Sequence, residues 1–221
     1  GFIRIFDGDN PLEVTAVHPE SYEQTEELLK SLGFDKFDLK DKEKIRSLAL
    51  KLKETENLKA VFTAGTDFSA SVSYACEATG FNSHTYEAAL NASDKVRMRQ
   101  CFKNANVPSP NFLQADKTNI ESICSQKDKL TDFSYPLVIK PVDNMGGRGC
   151  RLVRTEEELE SALKDAILNS KSQRAIIEDY MEGPEFSIDA LVYNGTITIC
   201  GFADRHIFFP PYFIEMGHTM P

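Results

Sequence analysis

The stretch from Tyr135 to Tyr193, YPLVIKPVDNMGGRGCRLVRTEEELESALKDAILNSKSQRAIIEDYMEGPEFSIDALVY, decides how the rest of the chain is read. A short apolar run, Pro136 to Ile139, delivers Lys140 into a loop, Pro141 to Gly149, that carries Gly146, Gly147 and Gly149. A lysine leaving a strand beside such a loop suits an anion. Glycines let the backbone approach the anion and turn N–H groups towards it, and the ammonium adds a point charge on the same oxygens. The lysine precedes the glycines, so the pattern is neither the P-loop nor the G-x-G-x-x-G fingerprint. A plain hairpin between two strands is the ordinary use of these glycines, and the residues that follow argue for more.

Gly149 runs into Cys150-Arg151-Leu152-Val153, a second strand, so the loop could fold over a ligand as a flap. Thr155-Glu156-Glu157-Glu158 has the form of a capping box, opening a helix with apolar positions at Leu159, Ala162, Leu163, Ala166 and Ile167. A third strand, Ala175 to Ile177, emerges into Glu178-Asp179-Tyr180-Met181, and Glu185 follows Gly183-Pro184 at the mouth of a fourth.

This order of strand, Lys, Gly-rich flap, strand, helix, strand, acidic hinge and Gly-Pro-Glu resembles the ATP-grasp superfamily. The resemblance extends back to Ser93-Asp94-Lys95-Val96-Arg97-Met98-Arg99, similar to the Asp-Lys helix before that domain, and to the turn Val107-Pro108-Ser109-Pro110. It implies an α/β fold in two parts. A Rossmann-like parallel-sheet region over residues 1–92 is of the kind found in biotin carboxylase and the large subunit of carbamoyl-phosphate synthetase. An ATP-grasp domain of two α+β lobes follows over 93–221, with the flap lobe at about 133–181 and part of a C-terminal lobe at 182–221. Those relatives begin with a strand, a Gly turn and a helix, none of which is seen before Phe2, and their C-terminal lobe continues past the point that Pro221 reaches. The chain is therefore expected to lack both.

The resemblance also implies roles. Lys95 and Lys140 would hold the phosphates of ATP beneath Gly146, Gly147 and Gly149. Glu178 would accept from the exocyclic amine of adenine at a hinge of Glu178, Asp179, Tyr180 and Met181, and Glu185 would accept from the ribose hydroxyls. Several relatives have Lys where Asp179 stands, at a hinge side chain that points outward. Without the surrounding motif, Glu178 and Glu185 would be ordinary strand-end carboxylates. The family's Mg2+ ligands lie near the end of the domain, so they are expected beyond Pro221 and no metal-ligating residue is assigned. The implied reaction joins a small carboxylate to an amine through an acyl phosphate, with release of ADP and phosphate. The ending Glu215-Met216-Gly217-His218-Thr219-Met220-Pro221 looks most like amino-acid ligases of this superfamily. A MgATP-binding module without catalysis and a carboxylase-like or carbamoyl-phosphate-synthetase-like fragment stay open, as does assembly as a homodimer. A nicotinamide-dependent oxidoreductase would need a dinucleotide fingerprint that the sequence does not show.

Bulk properties bound the partners. A formal net charge of −9 argues against a nonspecific nucleic-acid or membrane-surface binder, because phosphate-rich partners reward a basic face. No apolar run approaches the roughly 20 residues of a membrane helix. The five cysteines are odd in number and scattered without C-x-x-C, as in reduced thiols of a cytoplasmic protein.

Outside the central stretch, the pattern predicts a strand over Phe2–Phe6 ending in a loop over Asp7–Pro11, a helix from Ser21 to Gly33, and a helix from Asp41 to Glu54. A strand over Ala60–Thr63 turns through Gly65-Thr66-Asp67 into a helix with Val72, Ala75, Cys76 and Thr79, closed by Gly80. Alternation of this kind predicts a parallel sheet. Asp67 either caps its helix or, with Thr66, faces a ligand. Ser93 opens a helix with Asp94 near its positive end and with Arg97 and Arg99 expected on a solvated face. Beyond Pro110 come a polar connection and a helix over Asn119–Leu130. Asn194-Gly195 predicts a two-residue hairpin between strands Phe186–Tyr193 and Thr196–Ala203. Arg205 either stabilises an acyl-phosphate charge, as the catalytic candidate, or pairs with Asp204 at the surface. His206 and His218 are expected to be structural, and Phe208, Phe209, Tyr212 and Phe213 either line an acceptor pocket or pack.

Overall fold

In the computed structural model, residues 5–7, 10–12, 41–55, 57–63 and 68–220 are described. The fold is mixed α/β and divides into two units, Gly1–Leu90 and Asn91–Pro221.

In the first unit, β1 (Ile5–Asp7) and β2 (Asn10–Leu12) pair antiparallel, with Ile5 opposite Leu12. The loop expected after the first strand is therefore partly strand. Helix α1 (Lys42–Thr55) buries Ala49 against α2 (Ser69–Thr79), which buries Ala75 and Cys76. Gly80 closes α2 as expected, at φ +71°, a left-handed cap that glycine adopts without a Cβ penalty. Helix α3 (Tyr86–Ser93) went unread in the sequence because Phe81–Thr85 separates it from α2 by only a short turn. Its Tyr86 ring and that of Tyr74 flank the Lys42 ammonium at 4.8 and 4.6 Å. Residues 57–63 run on without strand structure, which corrects the strand expected at Ala60–Thr63. Phe62 is 79% exposed there, whereas a parallel strand needs cover on both faces. Every strand pairing among the described residues is antiparallel. The helix expected from Ser21 and the turn at Thr66 and Asp67 lie outside the described residues.

The second unit is built on a four-stranded antiparallel sheet in the order β3-β6-β4-β5. Its strands are β3 (Phe112–Asp116), β4 (Leu137–Pro141), β5 (Arg151–Val153) and β6 (Arg174–Asp179). Side chains alternate across a strand, so Leu137 and Ile139 of β4 join Ala175 and Ile177 of β6 on one face. That face packs on α6 (Glu156–Leu168), through the five apolar positions read from the sequence, and on α5 (Ile120–Ser125), through Ile120 and Ile123. Burial of each large aliphatic side chain contributes about 1.5–3 kcal/mol. The opposite face carries Val138 and Lys140 of β4 with Arg174, Ile176 and Glu178 of β6, and this is where the site is built.

Three expectations for this unit are corrected. The polar connection after Pro110 is the edge strand β3, whose one buried side chain, Ala115, left too weak an alternation to read. The helix expected over Asn119–Leu130 breaks at extended Gln126, leaving α5 and a 3-10 turn at Lys127–Leu130. The capping box is not made: Thr155 occupies the N-cap position without a side-chain cap, and Glu158 accepts from the N–H of Arg154, one residue before it, at 2.8 Å.

A second sheet, in the order β7-β8-β9, comprises β7 (Phe186–Tyr193), β8 (Thr196–Phe208) and β9 (Ile214–Thr219). Asn194 and Gly195 turn between its first two strands at φ +48° and +77°, the signs a type I′ hairpin requires. β8 runs five residues past its expected end at Ala203, and β9 was not foreseen. Beyond β8 the aromatic segment doubles back to the first sheet. The Leu152 N–H donates to the Pro211 carbonyl at 2.7 Å, and Tyr212 bridges to Arg151. None of the helices among the described residues is long and apolar enough to cross a membrane.

Candidate functional site

The register of β4 and β6 sets the first contact. Lys140 lies opposite Ile176 and Val138 opposite Glu178, so Lys140 and Glu178 are diagonal neighbours on one face, within reach of long side chains. The Lys140 Nζ donates to Glu178 Oε2 at 2.6 Å. Glu178 is 1% exposed, and its other oxygen, Oε1, accepts from Arg99 Nε. Arg99, expected on a solvated face, is thus turned inward, with its side chain 17% exposed.

Arg99 reaches this position from helix α4 (Lys95–Asn104), which lies over the same face of the sheet. Asp94 caps α4, accepting from the Arg97 N–H at 3.0 Å, and also pairs with Arg174 of β6. One residue therefore starts the helix and pins it to the sheet. At the same end the Lys95 N–H donates to the Val142 carbonyl at 3.0 Å, and Lys95 Nζ to the Asn144 carbonyl at 2.8 Å. Lys95 and Arg99, four residues apart, share a helix face. The helix delivers one cation to the base of the flap and the other to the hinge.

Electrostatics follow from this geometry. Burial alone would raise the Glu178 carboxyl, but Lys140 and Arg99 outweigh it and hold the group below its usual range. Burial pushes Lys95 down from its ordinary value, and the neighbouring Lys140 charge pushes it further. Cys150, between flap and strand, is raised by burial in spite of the two lysines. The site therefore gathers three cations around one buried carboxylate, a local basic excess in a chain of net charge −9. Such an excess favours a polyanion.

The flap is tied down where it leaves β4. Asp143 accepts from Ser170 Oγ at 2.7 Å and from the Lys171 and Ser172 N–H groups, while Asn144 Nδ2 donates to the Asn169 carbonyl. Gly146, Gly147 and Gly149 all have φ +70°. At Gly149 a Cβ would lie 2.9 Å from both Asn169 Cβ and Pro141 Cγ, and at Gly147 one would lie 3.1 Å from the Phe213 carbonyl oxygen; around Gly146 there is open space. Gly149 is thus demanded by packing and Gly146 by backbone conformation alone.

At the hinge, Glu178 and Asp179 are the last residues of β6 rather than residues beyond it. The Asp179 N–H donates to the Asn111 carbonyl and the Tyr180 N–H to the Pro136 carbonyl, while Met181 is 69% exposed. The Tyr180 ring lies 6.5 Å from that of Phe213, which brings the aromatic segment to the hinge. Glu185 stands apart from the Lys140 cluster in a network of its own. Arg205 donates to both oxygens of Glu215, at 2.8 and 2.9 Å, and pairs with Glu185, and His218 lies 2.6 Å from Glu215. Arg205 therefore pairs with Glu185 and Glu215 rather than with Asp204. Among the described residues no group of three or more His, Cys, Asp or Glu side chains gathers as a metal site.

A sequence model of the ATP-grasp domain matches residues 92–221, more than half of the chain. The chain belongs to the ATP-grasp family. A model of the HHH domain also matches residues 10–66, most of which lie outside the described residues. Among solved structures, the L-amino acid ligase of Bacillus licheniformis is similar, with a TM-score of 0.64 and 21% identity over 82% of this chain and 41% of the ligase. Phosphoribosylglycinamide synthetase of Anaerococcus prevotii gives 0.56 and 20% over 84% of this chain and 44% of its own. The biotin carboxylase domain of Hydrogenobacter thermophilus 2-oxoglutarate carboxylase, solved with MgADP, ADP and bicarbonate, gives 0.57 and 24%, over 74% and 37%. At these identities the likeness is one of fold. The chain spans about two fifths of the length of these proteins.

Proposed function

We propose that the residues where α4, the flap and the end of β6 meet bind ATP, and that the protein takes part in ATP-dependent ligation of a carboxylate to an amine. The observation that carries this reading is the gathering of Lys140, Lys95 and Arg99 around buried Glu178, beneath a loop of three glycines at positive φ. A triphosphate would take Lys140 and Lys95 as its cationic partners and the flap amides as donors. Glu178 would accept from the exocyclic amine of adenine. The Asp179 and Tyr180 N–H groups are already committed to carbonyls, which leaves the Met181 N–H to meet the ring. Glu185 would accept from the ribose hydroxyls once its pairing with Arg205 loosens.

In the proposed reaction a carboxylate oxygen attacks the γ-phosphorus, and the bond from that phosphorus to the β-phosphate oxygen breaks. ADP leaves and an acyl phosphate forms. The amine nitrogen then attacks the acyl carbon, the C–O bond to phosphate breaks, and the nitrogen gives up a proton. The side chains contribute position and charge neutralisation. Arg205, proposed to steady the developing charge, would have to exchange one of its two carboxylates for the acyl phosphate. The likeness to the L-amino acid ligase favours an amino acid among the substrates. The purified protein, incubated with MgATP and pools of amino acids, is expected to sustain release of ADP over many turnovers only when both an acid and an amine are present. Binding of ATP without ADP release under any pool would leave a binding module, and absence of ATP binding would overturn the reading.

A further inference from the structure

Glu178 uses one lone pair on each oxygen, for Arg99 and for Lys140. An ionised carboxylate offers about four acceptor positions and no donor. If ATP binds as proposed above, the phosphates draw on Lys140, and Arg99 becomes the one partner whose hold on Glu178 does not compete with the ligand. A guanidinium is planar, so it fixes the orientation of the carboxyl as well as pairing with its charge. Arg99 is itself held in place, since α4 is pinned by Asp94 to Arg174 and its guanidinium lies 6.0 Å from the Phe102 ring centre.

We propose that Arg99 is a positioning residue that fixes Glu178 as a pure acceptor at the hinge and so selects a 6-amino purine over a 6-oxo purine. The inference rests on the reading of this cluster as an ATP site. An acceptor facing the hinge gains a hydrogen bond from the amine of ATP and meets the carbonyl oxygen of ITP with a lone pair. A carboxyl freed from Arg99 can turn or take up a proton, and then tolerates either base.

The test is titration of the purified protein with ATP and with ITP, for the native sequence and for Arg99→Met, Arg99→Gln and Arg99→Lys, with Lys140→Met alongside. The native protein is expected to prefer ATP by about tenfold or more, the worth of one hydrogen bond to a charged group. In Arg99→Met that preference is expected to fall to within about threefold, with Arg99→Lys recovering part of it. Should Arg99→Met fail to fold, Arg99→Gln reads the same ratio. Loss of affinity for both nucleotides by the same factor, or no change in either, would show Arg99 to be structural and overturn the inference, as would a native protein that does not distinguish ATP from ITP. If Lys140→Met abolishes ATP binding while the Arg99 variants keep the preference, the inference alone falls. If Lys140→Met binds ATP like the native protein, the ATP site falls with it.

Discussion

Replacing Lys140 by Met tests the buried charge network apart from any ligand. The thioether chain keeps most of the lysine stem, so the packing of β4 on β6 is retained and the ammonium is what goes. Glu178, 1% exposed, is then left with Arg99 as its one directly paired cation. Stripping one partner from a buried pair costs about 3–5 kcal/mol. The Lys140 side chain is 28% exposed, which places its pair with Glu178 short of full burial, and its repulsion of Lys95 is relieved. An expected loss of about 2–3 kcal/mol at neutral pH follows from the discounted range. For a unit of this size that is a fall in Tm of roughly 6–12 °C. The pH dependence has a definite sign. The folded carboxyl sits below its unfolded value, so its stabilisation is full above about pH 4.3 and is lost as the pH falls through the lower folded value. In Lys140→Met the folded value moves up, and little remains to be lost. Urea unfolding at pH 7 and again near pH 3.5 should therefore show the gap between the two proteins closing in acid. A gap of the same size at both values, or under about 0.5 kcal/mol at pH 7, would refute the argument that Lys140 holds a buried ionised Glu178.

Two further outcomes follow from particular residues. Gly149→Ala combines a left-handed backbone with a Cβ 2.9 Å from Pro141 and Asn169, and is expected to cost about 2–4 kcal/mol, whereas Gly146→Ala, in open space, should cost about 1 kcal/mol; paired denaturant curves compare them. Lys95, held below its ordinary value by burial and then by Lys140, should be acylated at lower pH than the surface lysines, with MgATP protecting it; peptide mass spectrometry would show this, and labelling indistinguishable from that of exposed Lys171 would contradict it.

The central stretch was legible because its chemistry is local. The five apolar positions of α6, the Asn194-Gly195 turn and the lysine before three glycines each follow from spacing within a few residues, and each stands where spacing put it. What escaped notice depends on tertiary pairing. β3 has no hydrophobic run of its own and exists because its backbone pairs with β6. Arg99 looked like any basic residue on a helix, since its partner lies 79 positions away in the sequence. The helical spacing of Lys95 and Arg99 could have suggested a shared face, and nothing short of the fold says which sheet that face meets. Likewise, the Glu185–Arg205–Glu215–His218 network joins the starts of β7 and β9 to the middle of β8, a register that depends on a bulge at His206/Ile207. The strand expected at Ala60–Thr63 is not formed among the described residues, since so short a run says nothing of which segments lie beside it.

The most direct test of the central claim is the affinity of the purified protein for MgATP, measured by calorimetric titration beside Lys140→Met. The account predicts saturable one-to-one binding to the native protein, weakened about 30-fold or more in the variant, as expected for removal of a charged partner from a phosphate. Equal affinity in the two proteins, or no binding to the native one, would contradict it.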